Sequence, residues 1–567
     1  MKKIFKNIIF AAVSAVVLSS CVNDLDVIPL NPSELSPETA YGTDETGYLQ
    51  GLTKIYYSFI NTGDLKVEDA GASELVRAFW STQEVTADAC KCAWGDSWVS
   101  ALNTNTWSSE SNAATYAVYC RTMLGISFAN EFVRQTTQDK LDDRGVDEAL
   151  AAKVRSMRAE ARFIRAYLYW MALDTFGNVP LTTEDSPMGG GFMPTQYPRA
   201  EVFNYCISEL KDIAASGDMP AARSNYPRAD IGSVYGLMAR MYLNAEVYTG
   251  TPMWADAKAA CESIYTLGYA VCPEYAALFR GDNGEYLAAR NEFLFAIPYD
   301  AEDTQSYGGT GYLTFSTIAA ADVKDDKDTG DEADDEFFAP TGINNGWAGN
   351  RVPDTYVQAY FSPAAVDFEA GTYTITDKRG QLFDIKGCLQ SMSNEAELKN
   401  FKNGWSCWKY NNYPHDKDNT DPEALETAKK KAYSDIDYPL IRLGEIHLIY
   451  AEACMNLGQD ALALPKLAEL SARAGVAAPT AISKEFLVAE RARELMWEGH
   501  RRTDLIRYGM YGGDDVAYTW PFKGGLSSYG QTFPSYMNVF SIPPTELASN
   551  TALVQNPGYP AGTASAE

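Results

Sequence analysis

The sequence predicts a mainly α-helical protein in which stacked helix pairs carry one large, loop-rich insertion with short strands. Three observations predict it. In residues 153–176, Met157, Ala161, Ile164, Leu168, Met171 and Thr175 alternate in steps of four and three, the stripe of an amphipathic helix, with Gly177 at its cap and Pro180 just beyond. A Tyr/Ala-rich helix, a Gly-containing turn and an Ala/Leu-rich helix recur at residues 234–245 with 254–267, and at 441–457 with 461–473. Between residues 270 and 435 that periodicity fades, and Gly, Pro, Asn and Asp become frequent.

Taken from the N-terminus, Lys2, Lys3 and Lys6 precede an apolar run over residues 8–18 and the small pair Ser19-Ser20 before Cys21. This is the pattern of a secretory signal peptide, residues 1–20, and the cysteine makes the cleavage site a bacterial lipobox. The apolar run is shorter than the roughly 20 residues a membrane-spanning helix needs. Residues 21–46 then read as a lipidated N-terminus and polar tether, and residues 47–567 as a single domain. Leu52, Ile55, Tyr56 and Phe59 share one helical face at its start. The recurring helix pairs resemble tetratricopeptide repeats, which bury a continuous core by stacking, although their spacing here is irregular. Within the insertion, residues 371–376 and 382–385 read as short strands. Residues 483–507 read as one last helix with a structural ion-pair face, since its opposite charges fall three and four apart.

Composition removes several function classes. With 47 basic and 75 acidic residues the formal charge is −28, a surface that repels nucleic acid and anionic lipid, so membrane contact is expected only through the lipid anchor. Nine cysteines besides Cys21 form no zinc or thioredoxin spacing, and several fall inside helical patterns as small apolar residues. No metal site and no disulfide framework are expected. The acidic run 322–336 reads as a solvated loop; its Asp326-Lys-Asp328-Thr-Gly330 stretch matches a calcium loop only loosely, so a structural calcium ion is compatible but not predicted. The chain has no GxSxG elbow, HExxH pair, phosphate loop or dinucleotide fingerprint. Of its three histidines, His447 and His500 fall in predicted helices and read as structural. No catalytic residue, no cofactor and no enzymatic activity are predicted.

Several stretches together resemble the SusD/RagB family of outer-membrane nutrient-binding lipoproteins. Glu160-Ala-Arg162-Phe-Ile-Arg165-Ala-Tyr-Leu-Tyr-Trp170 followed by Phe176-Gly-Asn-Val-Pro180 is one. Asp437-Tyr-Pro-Leu-Ile-Arg442-Leu-Gly-Glu445 with Ala451-Glu452-Ala453 is a second. Glu490-Arg-Ala-Arg-Glu494 through Asp504 and the closing Ile542-Pro543-Pro544 and Gln555-Asn556-Pro557-Gly558-Tyr559 complete the set. The resemblance implies a SusD-like fold with four tetratricopeptide-like helix pairs, and a binding surface on loops mainly in 64–110 and 270–435.

Within that family the chain is most similar to its starch-binding member, through Cys21-Val-Asn-Asp-Leu-Asp26, Tyr307-Gly-Gly-Thr-Gly-Tyr312-Leu and Asn345-Gly346-Trp347. That resemblance places Trp94, Tyr307 and Trp347 on an aromatic arc and Asp69 and Arg77 on positions that contact glucose hydroxyls; Ser97 replaces a hydrogen-bonding Asn. The implied protein is a cell-surface lipoprotein anchored in the outer membrane through Cys21. It would capture starch-like α-glucan oligosaccharides and pass them to a SusC-type TonB-dependent transporter. Rival readings are the same module aimed at another polysaccharide (a non-starch glucan, a hemicellulose or a host glycan), an extracellular glycoside hydrolase, and a scaffold that binds only proteins.

Overall fold

Helices begin where the sequence supplies caps. In a computed structural model, which describes residues 40–63, 65, 67, 70–110, 112–189, 191–325 and 336–560, α1 (Glu45–Tyr57) starts at Asp44, whose carboxylate accepts the Thr46 N–H. After α2 (Leu75–Glu84) and α3 (Ala113–Gln135) comes α4 (Glu148–Phe176), whose cap Asp147 accepts the Leu150 N–H. That cap starts α4 five residues before the expected 153, and the stripe from Met157 to Thr175 is buried as predicted. Then follow α5 (Arg199–Ser216), α6 (Ile231–Leu243), opened by an Asp230/Ser233 capping box, and α7 (Trp254–Tyr265). The signal segment, Cys21, most of the tether, Asp69 and most of the acidic run lie outside the described residues.

Successive helices pack side by side, α3 on α4, α4 on α5, α5 on α6 and α6 on α7. The chain then leaves for the insertion, which carries α8 (Gly309–Phe315) and α9 (Pro422–Ala428). It returns as α10 (Leu443–Asn456) and α11 (Asp460–Ala474), which pack on each other, while α7 packs on α10. The stack is therefore continuous in space across the sequence interruption, which is why the repeat spacing looked irregular. His447 of α10 is buried between Tyr265 (3.2 Å) and Glu469 (3.1 Å), and burial lowers its pKa.

Two antiparallel ribbons frame the insertion: β1 (Lys91–Cys92) pairs with β3 (Asn350–Arg351), and β2 (Phe293–Ile297) with β4 (Tyr438–Arg442). Every residue of β2 and β4 is buried. Phe295 on β2 packs edge-on against Phe59, Phe163 and Tyr167, with centroids 5.1 to 6.2 Å apart, tying the base of the insertion to α4. The two expected strands are present as Thr372–Thr374, paired with Ala364–Asp367, and Phe383–Asp384, paired with Ser406–Cys407.

The single helix expected at 483–507 is two, α12 (Lys484–Glu494) and α13 (Arg501–Arg507). Trp497 breaks it at φ +62°: its indole N–H donates to Ala89 O (2.8 Å) and its carbonyl accepts the Trp80 indole (2.9 Å). Those buried tertiary bonds outweigh a few more helical residues. The charges on this segment are mostly buried and find most of their partners far away in sequence, in Arg379, Arg442 and Asp88.

Candidate functional site

The ribbon of β1 with β3 places Trp94 beside Trp347. Lys91 faces Arg351 in register, Ala93 N–H reaches Gly349 O (2.9 Å), and the Trp94 indole donates to Ala348 O (3.1 Å). Gly349 sits at φ +115° against the Trp94 indole, where a Cβ would collide with its nitrogen. Trp347 is pinned from the other side by α8, since its N–H donates to Phe315 O (2.8 Å) and the Phe315 ring lies 4.7 Å beneath it. Tyr307, two residues before α8, completes the group with its ring 5.7 Å from Trp347.

A fourth ring continues the line. Tyr433 lies 4.9 Å from Tyr307, and a hydrogen bond between the two raises the Tyr307 phenol above its ordinary value. From Trp94 to Trp347 to Tyr307 to Tyr433 neighbouring ring planes are tilted by 55°, 50° and 46°. Trp94, Trp347 and Tyr433 are half-buried and Tyr307 is 44% exposed, so the mutually tilted rings form a solvent-reaching row.

What lies beneath holds the rings in place. Glu74, the cap of α2, is fully buried and accepts from Tyr299 Oη (2.7 Å), Ser306 Oγ (3.2 Å), the Arg77 N–H (3.1 Å) and the Gly309 N–H. Gly309, at φ +46°, lets the chain pass against the Tyr299 ring, so the Gly-Gly pair after Tyr307 meets a packing need. Arg77 is 1% exposed; its guanidinium lies 4.3 Å from the Tyr312 ring and 5.5 Å from Trp94, under the aromatic surface.

Burial pushes Glu74 up to about 7, against donors that favour its ionised form, and does the same to Glu84 and Asp437. A carboxyl raised in the folded state binds its proton more tightly there, so its contribution is full below the unfolded value and is lost as pH rises through the folded one. The thermal midpoint should therefore fall as pH is raised from about 4.5 to above 7, with Glu74→Gln removing part of that fall. A midpoint that rises across this range in both proteins would contradict the assignment.

The structure thus brings together Trp94, Tyr307 and Trp347, with Arg77 directly below. Ser97 is exposed at the start of the short helix Ser97–Asn103, three residues past Trp94. Asp69 falls outside the described residues. Sequence reasoning missed Tyr433 and the supporting Phe315 and Tyr312. Tyr312 stands in the Tyr307–Leu313 stretch already singled out and Phe315 two residues beyond it, whereas Tyr433 follows Lys429-Lys430-Lys431 with no periodic signal.

Comparison with known proteins gives a consistent result. Residues 291–559 match the model of the SusD family, and residues 58–243 match a model described as starch-binding associating with outer membrane. The chain is 30% identical to the starch-binding protein SusD of Bacteroides thetaiotaomicron over 99% of both sequences. It is similar in structure to a SusD superfamily protein from Bacteroides vulgatus, with TM-score 0.65 and 18% identity over 92% of this chain and 100% of that one. It is also similar to surface glycan-binding protein A from Bacteroides thetaiotaomicron in complex with laminarihexaose, with TM-score 0.63 and 18% identity over 90% and 99%.

Proposed function

The chain belongs to the SusD family, and on that premise we propose that its row of mutually tilted rings captures a starch-like α-glucan. The protein is a glycan-binding member of an outer-membrane-associated family and not an enzyme. The mutual tilt of the four rings carries the substrate reading. Sugar rings present apolar C–H faces that pack on Trp and Tyr, while ring edges and nearby polar groups meet the hydroxyls. Planes tilted by about 50° to their neighbours suit a coiled chain better than a flat one. A glucan already coiled in solution loses little conformational entropy on such a surface.

A β-1,3-glucan also coils, and a structural neighbour is described in complex with laminarihexaose, so that sugar is the second reading. Electrophoresis through native gels containing amylopectin, laminarin, dextran or xylan separates the two. Retardation by amylopectin is expected; unchanged mobility there, with retardation by laminarin, would replace the first reading with the second.

The proposal extends to delivery. The protein is held at the cell surface by a lipid on Cys21 and passes its oligosaccharide to a SusC-type TonB-dependent barrel. Among the described residues no helix is long and apolar enough to cross a membrane.

A further inference from the structure

The row of rings does not end in open surface. Tyr433 stands on the segment 431–435, where Ser434 is buried and Lys431, Tyr433 and Asp435 are half-exposed. Lys431 and Asp435 stand two residues to either side of Tyr433, and their side chains meet at 2.9 Å. Both of them line a cavity of about 440 Å3, whose other walls include Asn412, Lys417, Asp421 and Thr427.

The cavity is built on fixed backbone. Four chain segments meet at its floor: Gly281 N–H donates to Tyr413 O (3.0 Å), Asn412 N–H to Thr341 O (2.8 Å) and Asn344 N–H to Lys431 O (3.0 Å). Asn412 also orients Asp435, accepting its N–H (2.7 Å) and donating to its carboxylate (3.2 Å). The far wall is α9, capped by Asp421, which in turn holds Lys417 at 2.6 Å.

Its chemistry differs from that of the rings. Four of the charges come as pairs, Lys417 with Asp421 and Lys431 with Asp435, and Asp282 and Glu423 complete the lining, so carboxylates outnumber lysines and an anion is not favoured. Paired ammonium and carboxylate groups instead offer donors and acceptors together, which is what vicinal hydroxyls need.

We propose that this cavity is a further glycan subsite, in which sugar units leaving the Tyr433 ring are held by hydrogen bonds and not by stacking. It rests on the reading that the rings bind glycan. It makes the protein a reader of chain length, since a short oligosaccharide fills the rings alone and a longer one also enters the cavity.

The test is calorimetric titration of wild type, Lys417→Ala/Lys431→Ala, Thr427→Arg and Trp347→Ala with maltotriose and maltoheptaose, and with laminaritriose and laminarihexaose. In the series that wild type binds, the preference for the longer sugar should fall about tenfold in the double variant, with the trisaccharide unchanged. Thr427 is exposed on α9, so Thr427→Arg blocks the cavity from the opposite wall without touching Tyr433, and should show the same loss. An unchanged preference in both variants, while Trp347→Ala loses both sugars, overturns the cavity and leaves the rings intact. Full affinity in Trp347→Ala, or no wild-type binding of either series, overturns both.

Discussion

Trp347→Ala is expected to weaken glycan binding by at least about 2 kcal/mol, roughly thirtyfold, with the fold intact. Trp347 is the middle of the row, with Trp94 at 6.5 Å on one side and Tyr307 at 5.7 Å on the other. Its removal takes away one stacking face and also separates the two rings that remain. A large, rigid, half-buried indole at the centre of a binding surface is where truncation costs most. The main-chain bond from Trp347 N–H to Phe315 O survives the change, and Phe315 is fully buried below, so the loop keeps its anchor. Trp347→Phe should lose less. Retardation in polysaccharide gels, with circular dichroism to follow folding, checks both. A Trp347→Ala protein that migrates like wild type through the preferred glycan would remove the rings from the site.

Arg442→Ala is expected to destabilise the protein by about 3–5 kcal/mol, read as a lower urea midpoint. Arg442 closes β4 and is 1% exposed. Its guanidinium contacts Glu292 (2.9 Å), Glu494 (2.6 Å) and Glu498 (2.6 Å) and donates to the Glu494 carbonyl (2.7 Å). Around it Arg473 also binds Glu292 (2.8 Å), Arg379 binds Glu494 (3.0 Å) and Lys409 binds Glu498 (2.6 Å). Burial alone would raise the Glu494 carboxyl, yet Arg473, Arg442 and Arg379 hold it well below its ordinary value. Removing one arginine leaves carboxylates buried without compensation, the costly case among buried ion pairs. The depressed carboxyl also makes this part of the stability fade as pH falls. A midpoint within experimental error of wild type would show that water or a rearranged neighbour replaces the guanidinium.

These two residues mark what the sequence reveals and what it hides. Helices α4, α6, α7, α10 and α11 are legible because apolar spacing and glycine-containing turns agree, whereas the caps Asp147 and Asp230 start α4 and α6 ahead of the residues that the spacing marks. Trp94, Tyr307 and Trp347 are legible only by resemblance to a family; nothing in their own spacing marks them. The break at Trp497 is illegible, because the charges around it satisfy helical spacing while their strongest partners sit at 88, 379 and 442. Arg77 shows a limit of resemblance in the other direction. The sequence assigns it to sugar hydroxyls, and the structure lays it beneath Tyr312 and Trp94, where it supports the rings from below. Tyr433 depends on a contact 126 residues away in the chain with Tyr307, and no local pattern reports that.

The ribbon of β2 with β4 has a consequence for how such proteins diversify. It joins Ile297 to Tyr438, so the whole excursion that bears α8, α9, Tyr307, Trp347 and Tyr433 is stapled at its base. Once both ends are fixed, doubling the length of a flexible segment between them costs only about 0.6 kcal/mol in closure entropy. A lineage can therefore lengthen the stretch between Tyr307 and Trp347, in which the acidic run 322–336 falls here, while the helical stack goes on folding as before. Ligand preference can drift at little thermodynamic risk to the scaffold that presents it.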